Sequence, residues 1–131
     1  MTIALDTRTG ASALVRRYLD LMEARKLDEA RGMLADGFTM TFPGAVTFER
    51  PEELVEWAKP RYRFVRKTYE NFDEAADSGT SVVYCTGTLS GELPDGTPFE
   101  GIRFIDRFTV RGGLLIDQQV WNDFAEVMAN R

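Results

Sequence analysis

The stretch 101–123 constrains this chain more than any other. Ile102, Phe104, Phe108 and Val110 occupy alternate positions, so an extended strand sets them on one face and turns Arg103, Arg107, Thr109 and Arg111 to the other. Asp106 falls on the apolar face. A carboxylate there is costly unless it is paired or protonated, because an unpaired buried charge costs on the order of several kcal/mol. Gly112-Gly113 supplies the positive-φ positions of a tight hairpin turn, and 114–123 reads as the returning strand. The expected nucleus is a pair of long antiparallel strands with one acid on the inner face.

Upstream, 1–9 is short and mixed, with Thr9 or Ser12 available as a helix cap. Leu14, Tyr18, Leu21 and Met22, flanked by Val15 and Leu19, have the spacing of an amphipathic helix whose buried stripe includes Tyr18. Asp28 begins a second short helix, with Ala30, Met33 and Leu34 on its apolar side and Asp36-Gly37 at its end. Phe38, Met40 and Phe42 alternate along a short strand stopped by Pro43-Gly44. Arg50-Pro51-Glu52-Glu53 starts a third helix, continued by Leu54, Trp57 and Ala58 and kinked or ended at Pro60. Strands are predicted at 66–76, 81–90, 99–111 and 114–123, an antiparallel meander divided by turn signals, and 125–131 as a turn of helix or a frayed end. This order defines one α+β domain, 1–131, with three N-terminal-half helices wrapped against one face of a curved, antiparallel-rich mixed sheet.

At 131 residues with 44% hydrophobic side chains, the chain is long enough for one buried core. A formal net charge of −5 argues against a nucleic-acid or polybasic membrane footprint, both of which need clustered cations. The N-terminus lacks the basic start and apolar run of a signal peptide, and no stretch reaches membrane-spanning length, so a cytoplasmic location is expected. Cys85 is the only cysteine and reads as a small strand residue, and there is no histidine. Ser-His-Asp and Cys-His catalysis are therefore excluded, and the commonest metal ligand is missing. Asp73, Glu74 and Asp77 lack the spacing of a metal loop, and no glycine-rich phosphate loop occurs. No metal site and no cofactor are expected; acid-base chemistry falls to carboxylates, tyrosines, lysines or water.

The element order, with Val-Arg-Arg-Tyr-Leu early and Ile-Asp-Arg-Phe-Thr-Val-Arg-Gly-Gly-Leu-Leu-Ile late, resembles the nuclear transport factor 2-like superfamily, nearest its SnoaL-like branch, over roughly 10–127. The resemblance implies a cone: a bent sheet against helices, a deep and mostly apolar pocket, and a dimer through the sheet's outer face. Such cones serve isomerases, dehydratases, polyketide cyclases, epoxide hydrolases and non-catalytic adaptors, so the fold alone does not assign a function. Tyr18 resembles the oxyanion-hole tyrosine of bacterial ketosteroid isomerases, and Asp106 falls where those enzymes keep a protonated aspartic acid. Their base precedes a proline at the end of the first strand, where this chain has Phe42-Pro43, which argues against isomerisation by that route. SnoaL-like cyclases keep an acid near the end of the last strand. Asp123 stands there and serves as base if the strand end turns it inward, whereas strict alternation from Ile116, Gln118 and Val120 turns Asn122 inward instead. The epoxide-hydrolase pattern finds no arginine and acid in Val83-Tyr84-Cys85-Thr86.

Two functions remain in view. One is a cofactor-independent cyclase, isomerase or dehydratase acting on a hydrophobic carbonyl compound, with Tyr18 and Asp106 as oxyanion donors and Asp123 as base. The other is a ligand-binding or adaptor domain without a working base; a dimerisation module with a plugged cone is a third case. Candidate lining residues are Phe38, Met40, Phe42, Trp57, Tyr62, Tyr84, Phe104, Phe108, Gln118, Val120 and Asn122, with Trp121 expected in the core. The aromatic ones suit a flat ligand. Arg103, Arg107 and Arg111 form an outward row, solvated or dimer-facing, and Ile105 among them motivates a homodimer.

Overall fold

The computed structural model describes residues 10–130. In chain order it comprises α1 (Ala11–Glu23), α2 (Leu27–Arg31), β1 (Leu34–Phe42), β2 (Val46–Phe48), α3 (Pro51–Ala58), β3 (Phe64–Asp77), β4 (Thr80–Glu92), β5 (Pro98–Arg111), β6 (Leu114–Asn122) and α4 (Phe124–Ala129). Six strands form one curved mixed sheet in the order β2-β1-β6-β5-β4-β3. All neighbours are antiparallel except β1 and β6, which are parallel. The four-strand meander and three N-terminal-half helices match the α+β architecture expected. The short β2, hairpinned onto β1, is an addition.

Helix α1 buries Val15, Tyr18, Leu19, Leu21 and Met22, the predicted stripe. Its N-terminus is closed differently from expectation. Thr9 lies outside the described residues, and Ser12 sits inside the helix. Glu74 on β3 reaches across, accepting from the Ser12 backbone N–H at 2.9 Å and from the Ser12 hydroxyl. A carboxylate at the positive end of the helix dipole satisfies an orphan donor and pins α1 to the sheet. Helix α3 begins at Pro51, and the Glu53 carboxylate accepts from the backbone N–H groups of Glu49 and Arg50 at 2.8 and 3.1 Å. It ends at Ala58, ahead of Pro60, as the missing proline N–H dictates.

The second helix is shorter than predicted. It stops at Arg31, and 34–37 extends into β1 because the Leu115 N–H donates to the Met33 carbonyl at 2.9 Å and Leu34 pairs with Leu115 in parallel. A sheet partner about eighty residues away outweighs local helix propensity here. The pairing then slips between Leu34 and Thr39, where Gly37 adopts φ 81°.

On β5 the alternation holds from Ile102 onward, with Ile102, Phe104, Asp106, Phe108 and Val110 all buried, after a slip at 100–101 that leaves Phe99 buried as well. The Gly112-Gly113 turn has φ of 58° and 75°. Fully buried side chains such as Phe108 and Met40 each contribute about 1.5–3 kcal/mol by leaving water. Strand β4 supplies Val83, Cys85, Gly87, Leu89 and Gly91 to the inner face. Bulges at 69–71 of β3 and 99–102 of β5, either side of β4, bend the sheet, and the two glycines of β4 let β3 and β4 close on one another. A Cβ on Gly87 would stand 2.0 Å from the Thr68 carbonyl oxygen, and one on Gly91 would stand 2.1 Å from that of Phe64.

Two aromatic expectations are corrected on the outer face. Tyr84 alternates against the buried Val83 and Cys85, pairs with Arg107, and is exposed; it does not line the interior. Trp121 pairs with Ile105 and is half exposed rather than core.

Candidate functional site

Three elements converge beneath α3. Strand β5 brings Asp106, paired in register with Cys85 on β4 and Val120 on β6. Strand β3 brings Lys67, whose Nζ lies 3.6 Å from Asp106 Oδ2 and 5.3 Å from the Phe104 ring centroid. Helix α1 brings Tyr18, its ring edge-on to Phe108 at 5.9 Å. Asp106 has no exposed surface, and neither of its oxygens completes a hydrogen bond. The Tyr18 hydroxyl and the Gln118 Oε1 are likewise buried without partners. Unsatisfied buried polar atoms cost about 1–3 kcal/mol each, so four clustered in one interior mark a place built to meet something.

The electrostatics follow from burial. Desolvation pushes the Asp106 carboxyl above the ordinary carboxylate range, while Lys67, and after it the Gln118 amide, pull it partly back. Burial also raises the Tyr18 phenol, and the nearby Asp106 adds to the effect, so Tyr18 stays a hydrogen-bond donor at neutral pH. A protonated or lysine-compensated acid, an ammonium and a phenol together stabilise negative charge on an oxygen.

The interior space has two lobes. The first, about 80 Å³, is lined by Asp106, Trp57, Phe104, Val120 and Asn122, with Arg61 and Phe124 also on its wall. The second, about 90 Å³, holds Tyr18 and Gln118, with Leu54, Val55 and Ala58 of α3 above. Phe42, Tyr62, Val65 and Lys67 border both. Phe42, Phe48 and Trp57 pack as an aromatic cluster with centroids 5.5 to 5.9 Å apart, and the Arg61 guanidinium lies 4.2 Å above the Trp57 ring. Asn122 faces the first lobe, and its Oδ1 also accepts from the Phe124 N–H at 3.0 Å, capping α4.

Phe42, Trp57, Tyr62, Phe104, Gln118, Val120 and Asn122 border the space, together with Tyr18 and Asp106. Phe38, Met40 and Phe108 pack in the core and border neither lobe, with the Tyr18 ring of α1 against Phe38 and Phe108. Tyr18 and Asp106 open onto different lobes. Asp123 belongs to neither: its Oδ2 accepts from Arg103 Nε on the outer face at 2.5 Å, and its backbone N–H donates to the Arg103 carbonyl. Strand β6 keeps Asn122 inward, as strict alternation from Gln118 and Val120 requires, while a register slip near its start buries Leu115 in place of Ile116. Asp123→Asn is accordingly expected to leave ligand affinity and the Asp106 titration unchanged; calorimetry on both forms checks this, and a large loss of affinity would return Asp123 to the site.

Lys67 was not among the expected site residues, although the sequence signals it. Val65, Lys67 and Tyr69 alternate on the inner face of β3, the same test that singled out Asp106. Arg61, Val65 and Leu89 also line the first lobe without having been anticipated. Among the described residues, no group of three or more acids and cysteines is placed to hold a metal ion, and no helix is long and apolar enough to cross a membrane.

A curved six-stranded sheet with three helices in the N-terminal half is the architecture of nuclear transport factor 2-like proteins. Within that superfamily the chain belongs to the SnoaL-like domain family, which it matches over residues 15–118. No curated protein matches it. Among solved structures, the nuclear transport factor 2-like protein of Burkholderia thailandensis E264 is similar at a TM-score of 0.74 and 17% identity, over 93% of this chain and 97% of that one. TerC, crystallised with polyporic acid, is similar at a TM-score of 0.72 and 14% identity, over 89% of this chain and 94% of that one. A candidate SnoaL-like polyketide cyclase from Jannaschia sp. CCS1 gives 0.63 and 16%, over 95% of each chain.

Proposed function

We propose that the chain binds a small, largely apolar compound bearing a carbonyl or phenolic oxygen and stabilises negative charge on that oxygen. One observation carries this reading: Asp106, fully buried beside the cavity, has neither carboxyl oxygen in a hydrogen bond, and its Oδ2 lies 3.6 Å from the Lys67 ammonium. An acid held above its usual range donates a hydrogen bond, and the ammonium favours an anion over a neutral ketone. The likeness to TerC, crystallised with polyporic acid, supports a cavity of this kind. A cyclase or isomerase role needs a base as well. With Asp123 bound to Arg103, that task passes to Asp106 itself in its ionised form. Binding is the primary reading, and catalysis by Asp106 is the second.

The test is titration with 4-nitrophenol, whose phenolate absorbs in the visible. The bound phenol should ionise at lower pH than the free one. Absence of binding, or ionisation shifted to higher pH, overturns the reading. Exchange of the α-protons of a β-diketone into deuterated water, followed by NMR, separates catalysis from binding alone.

We further propose a homodimer through the outer face of β4, β5 and β6. Tyr84, Ile105, Leu114 and Trp121 are its exposed large apolar side chains, with Ile105 and Trp121 paired in register. Exposed apolar groups gathered on one sheet face mark an interaction surface. Sedimentation at micromolar concentration should give about twice 14.8 kDa, and Trp121→Glu should give the monomer; a monomeric parent protein refutes the dimer.

A further inference from the structure

The two lobes differ in what they ask of a ligand. In the first, Asp106 and Lys67 present donors, and an acceptor oxygen satisfies them. In the second, the Tyr18 hydroxyl donates while Gln118 Oε1 accepts, both buried and unpartnered, so a ligand group there must accept one hydrogen bond and donate another. A hydroxyl does both; a carbonyl does not. Among the described residues, Lys67 is the only charged side chain that borders both lobes. Neither lobe, at about 80 and 90 Å³, reaches the roughly 150 Å³ of a dry cavity that accepts benzene, so a ring-sized body has to occupy both.

From this we infer that the ligand is a hydroxy-carbonyl compound with its two oxygens at opposite ends of a short apolar frame. The carbonyl end lies on Asp106 and Lys67, the hydroxyl end between Tyr18 and Gln118, and the frame passes Phe42, Tyr62 and Val65. The inference rests on the binding function proposed above and adds the second oxygen and its hydrogen-bonding character. A ligand filling one lobe alone leaves the buried polar atoms of the other stranded, a cost comparable to a hydrogen bond.

Four single-ring probes test it on the full chain by calorimetry: 4-hydroxyacetophenone, 4-methoxyacetophenone, acetophenone and phenol. 4-Hydroxyacetophenone should bind about tenfold tighter than the better of acetophenone and phenol. The methoxy analogue, which accepts but cannot donate, should lose that advantage. Gln118→Leu should bring 4-hydroxyacetophenone down to the affinity that the same variant shows for acetophenone, with Gln118→Met as a second variant where the leucine form is poorly folded. If 4-hydroxyacetophenone gains nothing over the single-oxygen probes, or Gln118→Leu and Gln118→Met weaken all four alike, the two-ended ligand is wrong while the single-oxygen function stands. If none of the four binds, that function falls as well.

Discussion

Lys67→Met is expected to weaken phenolate binding by about 10- to 100-fold while changing the affinity for neutral apolar compounds little, since a hydrogen bond to a charged group contributes about 1.5–3 kcal/mol. The ammonium is positioned for this by three contacts. It lies 3.6 Å from Asp106 Oδ2 and 5.3 Å from the Phe104 ring, and its stem borders both lobes. Methionine keeps the stem and removes the charge. The same substitution shifts the pH profile of stability. Burial raises the Asp106 carboxyl, and Lys67 is the chief influence drawing it down, so removing Lys67 raises it further. A carboxyl raised in the folded state contributes stability that is fully present below its unfolded value and is lost as pH climbs through the folded one. The loss in Lys67→Met should therefore continue to higher pH than in the parent, and Asp106→Asn should abolish this part of the slope. Urea unfolding between pH 4 and 8 measures both. An Asp106 that titrates at or below the ordinary value by carbon-detected NMR would make the pair a structural ion bridge.

Gly87→Ala is expected to destabilise the fold by about 3 kcal/mol, the upper end for overpacking, and to lower the melting temperature by roughly 10 °C. The new methyl carbon would sit 2.0 Å from the Thr68 carbonyl oxygen and 3.0 Å from the Phe104 ring. Both obstacles are constrained. Thr68 belongs to the β3 backbone, paired along the length of β4, and Phe104 stands beside Asp106 at the cavity. Relief requires β3 to part from β4 where they bend, which also displaces Lys67, one residue from Thr68. Gly32→Ala is the control: its φ of −64° is helical, and the nearest atom to the added carbon is 3.4 Å away, an ordinary contact. Thermal unfolding followed by circular dichroism compares the two, and equal melting points would refute the close approach.

The extent to which the sequence was legible depends on how local each determinant is. Alternation on β5 fixed the inner face, with Asp106 on it, because side-chain direction in a strand has a period of two whatever the strand pairs with. The Gly112-Gly113 turn, the α1 stripe and the start of α3 at Pro51 are equally local. The meander followed from turn signals and strand lengths within a few residues. Tyr84 was legible but misassigned, since its buried neighbours Val83 and Cys85 already turned it outward.

The remaining features came from pairs distant in the chain. Local spacing predicts helix through 33–34, yet Leu115 draws that segment into the sheet. The chain places Asp123 twenty residues from Arg103, and only the β5–β6 register sets the two side by side on the outer face, turning a candidate base into an ion-pair partner. Lys67 meets Asp106 across the curvature of β3, β4 and β5, which the glycines of β4 and the bulges of β3 and β5 impose. The sequence by itself determined which face holds a buried acid, because side-chain direction alternates with a period of two along a strand. Tertiary structure alone decided what that acid faces, because compensating it is a matter of distance between chain segments that no period in the sequence encodes.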